Sequence, residues 1–300
     1  MRIEGVYNIL TTPFGDDGSL DEASLARLVE SILGLGVDGL TILGVAGEAQ
    51  KLAEAERARV IALVMETVAG RVPVCVGTSA DGTGVAAAAS VAAEAAGAAA
   101  VMVAPPTFLQ AGAGLTAHYR AVAEAIGVPV ILQDFPPVNG VTLSPRQMAD
   151  LVAAVPSITC VKLEGVPTPP RVGDLRSLVD ERVTIVGGLG GMYLLDELRR
   201  GASGTMTGFA FPEALVEIWR AWRAGDRAGA AEAYRRWLPL LVFEGQTGVG
   251  LAVRKELLRR RGFIASAQVR RPGTELDPRL AEDLSETLAQ LDLRDLASRR

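Results

Sequence analysis

Eight short runs rich in β-branched residues recur along this chain, each followed by a segment of helical spacing, and that beat constrains the fold more than any other feature. The runs lie at 7–12, 39–44, 72–77, 99–104, 128–133, 158–163, 183–188 and 204–208, with starts roughly 20 to 34 residues apart, the length of one strand-plus-helix unit. The intervening segments at 22–35, 53–68 and 145–155 carry apolar residues at spacings of three and four, as one buried helix face requires. Asp21 and Ser144 supply acceptors for helix N-termini, with Pro145 at a first helical position. Strands that are apolar on both faces and alternate with helices belong to a parallel sheet. Eight such units close naturally into a (β/α)8 TIM barrel. A barrel of roughly 250 residues plus additions also accounts for 300 residues without a linker. The expected organisation is a barrel at 1–225 and, at 226–300, a helical extension packed on it, with helices at 227–243, 248–261 and 278–290 and a loop at 270–277.

Composition removes several alternatives. Hydrophobic residues make up 49% of the chain and charged residues 22%, so it can bury a core and is not disordered. A net charge of −5 offers no basic footprint for nucleic acid. Two cysteines, Cys75 and Cys160, cannot make a disulfide framework and are expected as small core residues. One histidine, His118, cannot build a zinc site from several imidazoles, so no metal is expected. It falls within an expected helix, away from the strand ends, as a surface or capping residue. The start of the chain lacks the apolar run of a signal peptide, and the most membrane-like stretch, 84–106, is broken by Ser90, Glu94 and Gly97. A cytoplasmic protein with no membrane partner is expected.

In a barrel of this kind chemistry sits at the C-terminal ends of the strands and in the loops that follow. Only three of the 30 basic residues are lysine, namely Lys51, Lys162 and Lys255, so a lysine here is a candidate for work that arginine cannot do. Lys51 and Lys255 sit in polar helical contexts and are expected on solvated faces. Lys162 ends the sixth run. A strand period of two puts Ile158, Cys160, Lys162 and Glu164 on one face, expected to point inward. Desolvation favours the neutral amine, which attacks a carbonyl to give a Schiff base; the alternative is a structural lysine paired with Glu164. The loop after the second strand, Gly44-Val45-Ala46-Gly47-Glu48, opens a helix and offers backbone amides to an anion. The glycines at 187–191, Gly188 among them, raise the same possibility, and a plain turn accounts for either loop equally well. Gln133 and Asp134, after the fifth strand, are a candidate substrate holder and a candidate acid or base, with turn capping as the alternative.

These residues form an ordered set. Thr12-Pro13-Phe14, the Gly-x-x-Gly-Glu loop, Val161-Lys162, the eighth run and the C-terminal helices together resemble the dihydrodipicolinate synthase/N-acetylneuraminate lyase family over nearly the whole chain. The resemblance implies a Schiff-base lysine at Lys162, a 2-keto acid whose carboxylate rests on Val45, Ala46 and Gly47, no cofactor beyond the covalent imine, and a homotetramer. Several departures stand out. Lysine-pathway synthases have two threonines where this chain has Val45 and Ala46, relay tyrosines at the positions of Gln133 and Thr107, and an arginine near Val138. Sialate lyases keep the strand-five tyrosine and place acidic residues where Gly190 and Gly191 stand. Gln133-Asp134-x-Pro136, Lys162-x-Glu164, Met206-Thr207-Gly208 and the C-terminal tail are instead similar to the L-2-keto-3-deoxyarabonate dehydratase-like subgroup of sugar-acid dehydratases.

The chemistry expected on that basis is condensation of Lys162 with C2 of a 2-keto acid, removal of a C3 proton with Glu164 as the candidate base or acid, and expulsion of the C4 hydroxyl as water. Backbone amides near Ala46, Gly47 and Met206 would hold the carboxylate, Gln133 would orient substrate and Thr207 would contact a hydroxyl. Two rivals remain. A pyruvate-dependent aldolase would use the same imine, and a non-catalytic keto-acid binding protein would need no amine nucleophile. A pyridoxal-phosphate barrel would be yellow when purified.

Overall fold

The computed structural model describes residues 1–293. Eight strands follow the expected order: β1 (Gly5–Ile9), β2 (Gly39–Ile42), β3 (Val74–Gly77), β4 (Ala100–Val103), β5 (Val130–Asp134), β6 (Ile158–Leu163), β7 (Thr184–Val186) and β8 (Gly204–Thr207). From β1 to β7 each strand pairs in parallel with the next in sequence, and β8 returns to pair with β1. A bridge between Gly187 and Thr205 and the Ser203 N–H donated to Ile185 O at 2.7 Å link β7 to β8. The sheet is thus a nearly closed (β/α)8 barrel, as the spacing of the runs implied.

Helices α1 (Glu22–Leu33), α2 (Glu54–Val68), α3 (Thr83–Ala95), α4 (Ala113–Ala125), the short α5 (Pro136–Asn139), α6 (Pro145–Ala154), α7 (Thr168–Leu178), α8 (Leu194–Arg199) and α9 (Pro212–Arg223) fill the crossovers. They are followed by α10 (Arg227–Glu244), α11 (Gly250–Arg260) and α12 (Pro278–Gln290). Asp21 accepts from Ser24 N–H at 2.9 Å, and Ser144 and Gln147 form a reciprocal cap on α6. Residues 294–300 of the expected extension lie outside the described residues. No helix among the described residues is long and apolar enough to cross a membrane.

Strand alternation sorts the core into two layers. Val101, Leu132, Val161 and Ile185 face the helices, while Met102, Ile131, Cys160, Val186 and Met206 fill the barrel interior. Each such side chain, fully buried, contributes about 1.5–3 kcal/mol. Both cysteines are in the inner layer, as expected of small core residues.

Two expectations need correction. Ile158 does not share the inner face with Lys162. The β5–β6 ladder passes from Val130 opposite Ile158 to Ile131 opposite Cys160, so Thr159 is an extra residue. That bulge shifts the period by one and sends Ile158 to the outer layer. His118 is not at the surface. It is buried between α4 and α3, its Nδ1 lies 3.0 Å from Thr83 Oγ1, and burial pushes its pKa down.

The seam between β8 and β1 leaves no space for a side chain at its first residue. Gly204 has φ +140°, and a Cβ there would lie 2.0 Å from Gly5 O. Gly204→Ala is expected to lower unfolding stability by about 3 kcal/mol or more in urea denaturation. An unchanged midpoint would show that the two strands part without penalty.

Candidate active site

Past the bulge, β6 keeps regular alternation to its end and one pair beyond it. The Glu164 N–H donates to Asp134 O at 2.8 Å, which continues the ladder, so Glu164 points the same way as Lys162. Lys162 Nζ and Glu164 Oε2 are 2.9 Å apart, with both side chains about 95% buried or more. Gln133 lies opposite Lys162 in the register, and its Nε2 donates to the same Glu164 oxygen at 3.0 Å. On the other side Gly188 makes room for the carboxylate. A Cβ at that position would sit 2.3 Å from Glu164 Oε1. The fold therefore brings Lys162, Glu164, Gln133 and Gly188 together.

The next residue of β5 serves a different purpose. Asp134 Oδ2 accepts from Arg171 at 2.9 Å and from Gly165 N–H at 3.3 Å, and Arg171 also donates to Leu143 O. Burial raises the Asp134 carboxyl pKa and the guanidinium opposes that shift. It ties the end of β5 to α7 rather than joining the Lys162 cluster.

Residues 45–47 form a single tight turn after β2. Gly47 N–H donates to Gly44 O and Glu48 N–H to Val45 O, each at 3.0 Å, while the amides of Val45 and Ala46 begin the turn with no acceptor inside it. Thr12 Oγ1 donates to Gly47 O at 2.6 Å, and the Ala46 methyl rests on the inner layer. The Met206 amide is engaged as well, donating to Gly187 O at 2.9 Å. The Gly47 and Met206 amides are thus engaged, which leaves those of Val45 and Ala46 as the candidate donors to a carboxylate. Thr207 is buried at the end of β8 and accepts from Gly190 N–H at 2.8 Å, which anchors the glycine loop after β7.

The sequence reading missed three groups. Lys255 was expected in solvent, yet it is fully buried, with Nζ 2.5 Å from Glu48 Oε1. Lys51 is only partly exposed and lies 2.9 Å from Glu48 Oε2. Both converge on the residue that ends the β2 turn, Lys255 from α11 and Lys51 from the short turn that follows Glu48. The scarcity of lysine was a signal for all three lysines, not for Lys162 alone. The third group is Glu197 on α8, buried beneath Gly187, where a Cβ would lie 1.7 Å from its Oε2. Thr168 donates to its Oε1 at 2.5 Å, and Oε2 has no partner among the described residues. Burial, with the charge of Glu164 adding to it, pushes this carboxyl up to about 7.

An amine beside a carboxylate in a buried site suits carbonyl attack followed by proton transfer. Among the described residues no group of three or more His, Cys, Asp or Glu is placed to hold a metal.

Residues 2–291 match the model of the dihydrodipicolinate synthetase family. The chain is 36% identical to an L-2-keto-3-deoxyarabonate dehydratase from Azospirillum brasilense over 97% of its own length and 95% of the relative's. It is 34% identical to a 4-hydroxy-tetrahydrodipicolinate synthase from Sorangium cellulosum, covering 99% of each chain. Among solved structures it superposes on dihydrodipicolinate synthase from Rhodopseudomonas palustris with a TM-score of 0.91 at 36% identity, covering 96% of this chain and 98% of that one. It also superposes on a prophage protein of E. coli K12 from the dihydrodipicolinic acid synthase family, in complex with pyruvate. There the TM-score is 0.91 at 28% identity, covering 97% and 99% of the two chains.

Glu197 makes stability depend on pH. Its native pKa of about 7 lies above the ordinary 4.5, so its contribution is fully present below 4.5 and is lost as pH rises through 7. Glu197→Gln mimics the protonated form at every pH. Between pH 4.5 and 7 the wild type is expected to lose roughly 2–4 kcal/mol relative to this variant in urea titrations. Parallel stability curves would mean that Glu197 does not hold its proton.

Proposed function

This chain belongs to the dihydrodipicolinate synthetase family of Schiff-base lyases, and from that premise we propose that it dehydrates a 2-keto-3-deoxy sugar acid. The carrying observation is the buried Lys162–Glu164 pair at 2.9 Å, with the amide of Gln133 on the same carboxylate. In this reading the Lys162 amine attacks C2 of the keto acid, and water is lost to form the imine, which acidifies C3. Glu164 takes a C3 proton, the electron pair passes through the enamine, and the C4 hydroxyl leaves as water after protonation. Hydrolysis of the imine consumes one water and frees the lysine, so the net loss is one water per turnover.

The amides of Val45 and Ala46 hold the substrate carboxylate, with Gly47 closing their turn. Gln133 orients Glu164 and substrate but relays no proton, since an amide does not titrate. Gly188 gives space to Glu164, Met206 forms the apolar floor and Thr207 meets a substrate hydroxyl. The proposal includes a homotetramer that uses the imine on Lys162 in place of any added cofactor, features taken from the resemblance, and a cytoplasmic location, taken from the sequence.

A pyruvate-dependent condensation or retro-aldol reaction is the second reading. It is favoured by relatives that are 4-hydroxy-tetrahydrodipicolinate synthases and by the relative in complex with pyruvate. Against it stand Gln133 and Thr107 at positions where the resemblance implies relay tyrosines. A binding protein has less support, because binding needs no buried amine.

Borohydride trapping with pyruvate, read by peptide mass spectrometry, is expected to label Lys162 in the wild type and not in Lys162→Arg. The variant should lose about 10³-fold or more in kcat/KM. Incubation with 2-keto-3-deoxy sugar acids should yield the dehydrated keto acid. Release of pyruvate would favour the aldolase, and failure to trap any 2-keto acid would overturn the imine mechanism.

A further inference from the structure

We propose that Lys255 and Glu48 are a positioning pair, by which α11 shapes the Val45–Gly47 turn and makes it electropositive for the substrate carboxylate. This inference rests on the reading that the turn binds that carboxylate.

Glu48 is the hinge of the arrangement. Its N–H closes the turn on Val45 O, and its φ of 55° places a non-glycine residue in the left-handed region. That conformation costs about 1–2 kcal/mol and persists only where neighbours impose it. Here they grip both carboxylate oxygens. Oε1 meets Lys255 at 2.5 Å, while Oε2 meets Lys51 at 2.9 Å and the Arg270 N–H at 3.0 Å.

The Lys255 ammonium is in turn fully satisfied. Its three protons have three acceptors, namely Glu48 Oε1, Thr12 O at 2.9 Å and Gln268 O at 2.7 Å, and the Phe14 ring lies 4.4 Å away. Thr12 donates its own hydroxyl to Gly47 O, so one buried charge reaches both ends of the turn's closing segment. A planar guanidinium has five donors in a fixed fork and does not fit three acceptors around a point charge. This accounts for a lysine here in a chain whose basic residues are mostly arginine.

Charge supports the same role. A lone carboxylate beside an anion site would repel the substrate. Glu48 instead faces two ammonium groups, and Arg270 is matched by Glu56 at 2.6 Å, which leaves one positive charge next to the turn. Stability alone does not call for the pair, because well-packed apolar residues often replace a buried ion pair without loss. Burial lowers the Lys255 pKa to about 8 against the pull of Glu48, with Lys51 and Arg270 lowering it further.

The test is borohydride trapping on Lys162 as a function of pyruvate concentration, with pyruvamide as the uncharged probe, after circular dichroism confirms folding. At pH 7, Lys255→Met is expected to raise half-saturating pyruvate about tenfold with an unchanged plateau, and to lower the preference for pyruvate over pyruvamide by the same factor. At pH 9 the wild type should approach the variant, since Lys255 is by then largely neutral. Lys51→Met, at a partly exposed site, should show the same loss of preference at about threefold and serves if Lys255→Met does not fold. Half-saturation and preference within twofold of wild type in a folded variant would overturn the pair's role while leaving the imine mechanism intact. No trapping on Lys162 in the wild type would overturn both.

Discussion

The barrel interior is apolar through Cys160, Val186 and Met206, and at its C-terminal end it holds an ammonium and a carboxylate 2.9 Å apart. Removing two charges from water costs several kcal/mol for each unless they pair and their remaining valences are filled. Lys162 and Glu164 meet that requirement through features that would otherwise look unrelated. Gln133 donates to the carboxylate from the neighbouring strand, Gly188 yields the volume that Glu164 occupies, and the ladder past β6 keeps Glu164 inward. One contact thus stabilises the buried amine and holds a carboxylate beside it.

A second buried charge organises the opposite wall. Glu48 ends the β2 turn and receives cations from helix α11 and from its own loop. The C-terminal segment therefore does more than cover apolar surface, since Lys255 and Arg270 reach back to the loop at the C-terminal end of β2. The two clusters are built differently. At Lys162 one cation faces one carboxylate, whereas at Glu48 two cations face one, and the excess positive charge suits a site for an anionic group.

Period and rarity were the legible signals. Apolar runs followed by helical spacing locate strands and helices because burial on both faces of a parallel sheet is written into every strand. The last helix, α12, has the expected bounds, and β6 likewise. The inward orientation of Lys162 and Glu164 also followed from a period of two, although Ile158 did not, because one inserted residue at Thr159 reverses the face behind it. No local composition announces such a bulge.

What the sequence determined alone was the barrel, the end of it at which polar residues gather, and the candidacy of a lysine among arginines. These follow from local periodicity and composition, which act over one unit of the repeat. Which partners buried charges find was decided only by the tertiary structure. Lys255 and Glu48 are 207 residues apart in the chain, and His118 is hidden by a neighbouring helix rather than by anything in its own. The occupancy of the Gly47 and Met206 amides is likewise set by the turn and the closing strand. Long-range contacts carry no periodic trace, so a polar helix face reads the same whether it meets water or a buried carboxylate.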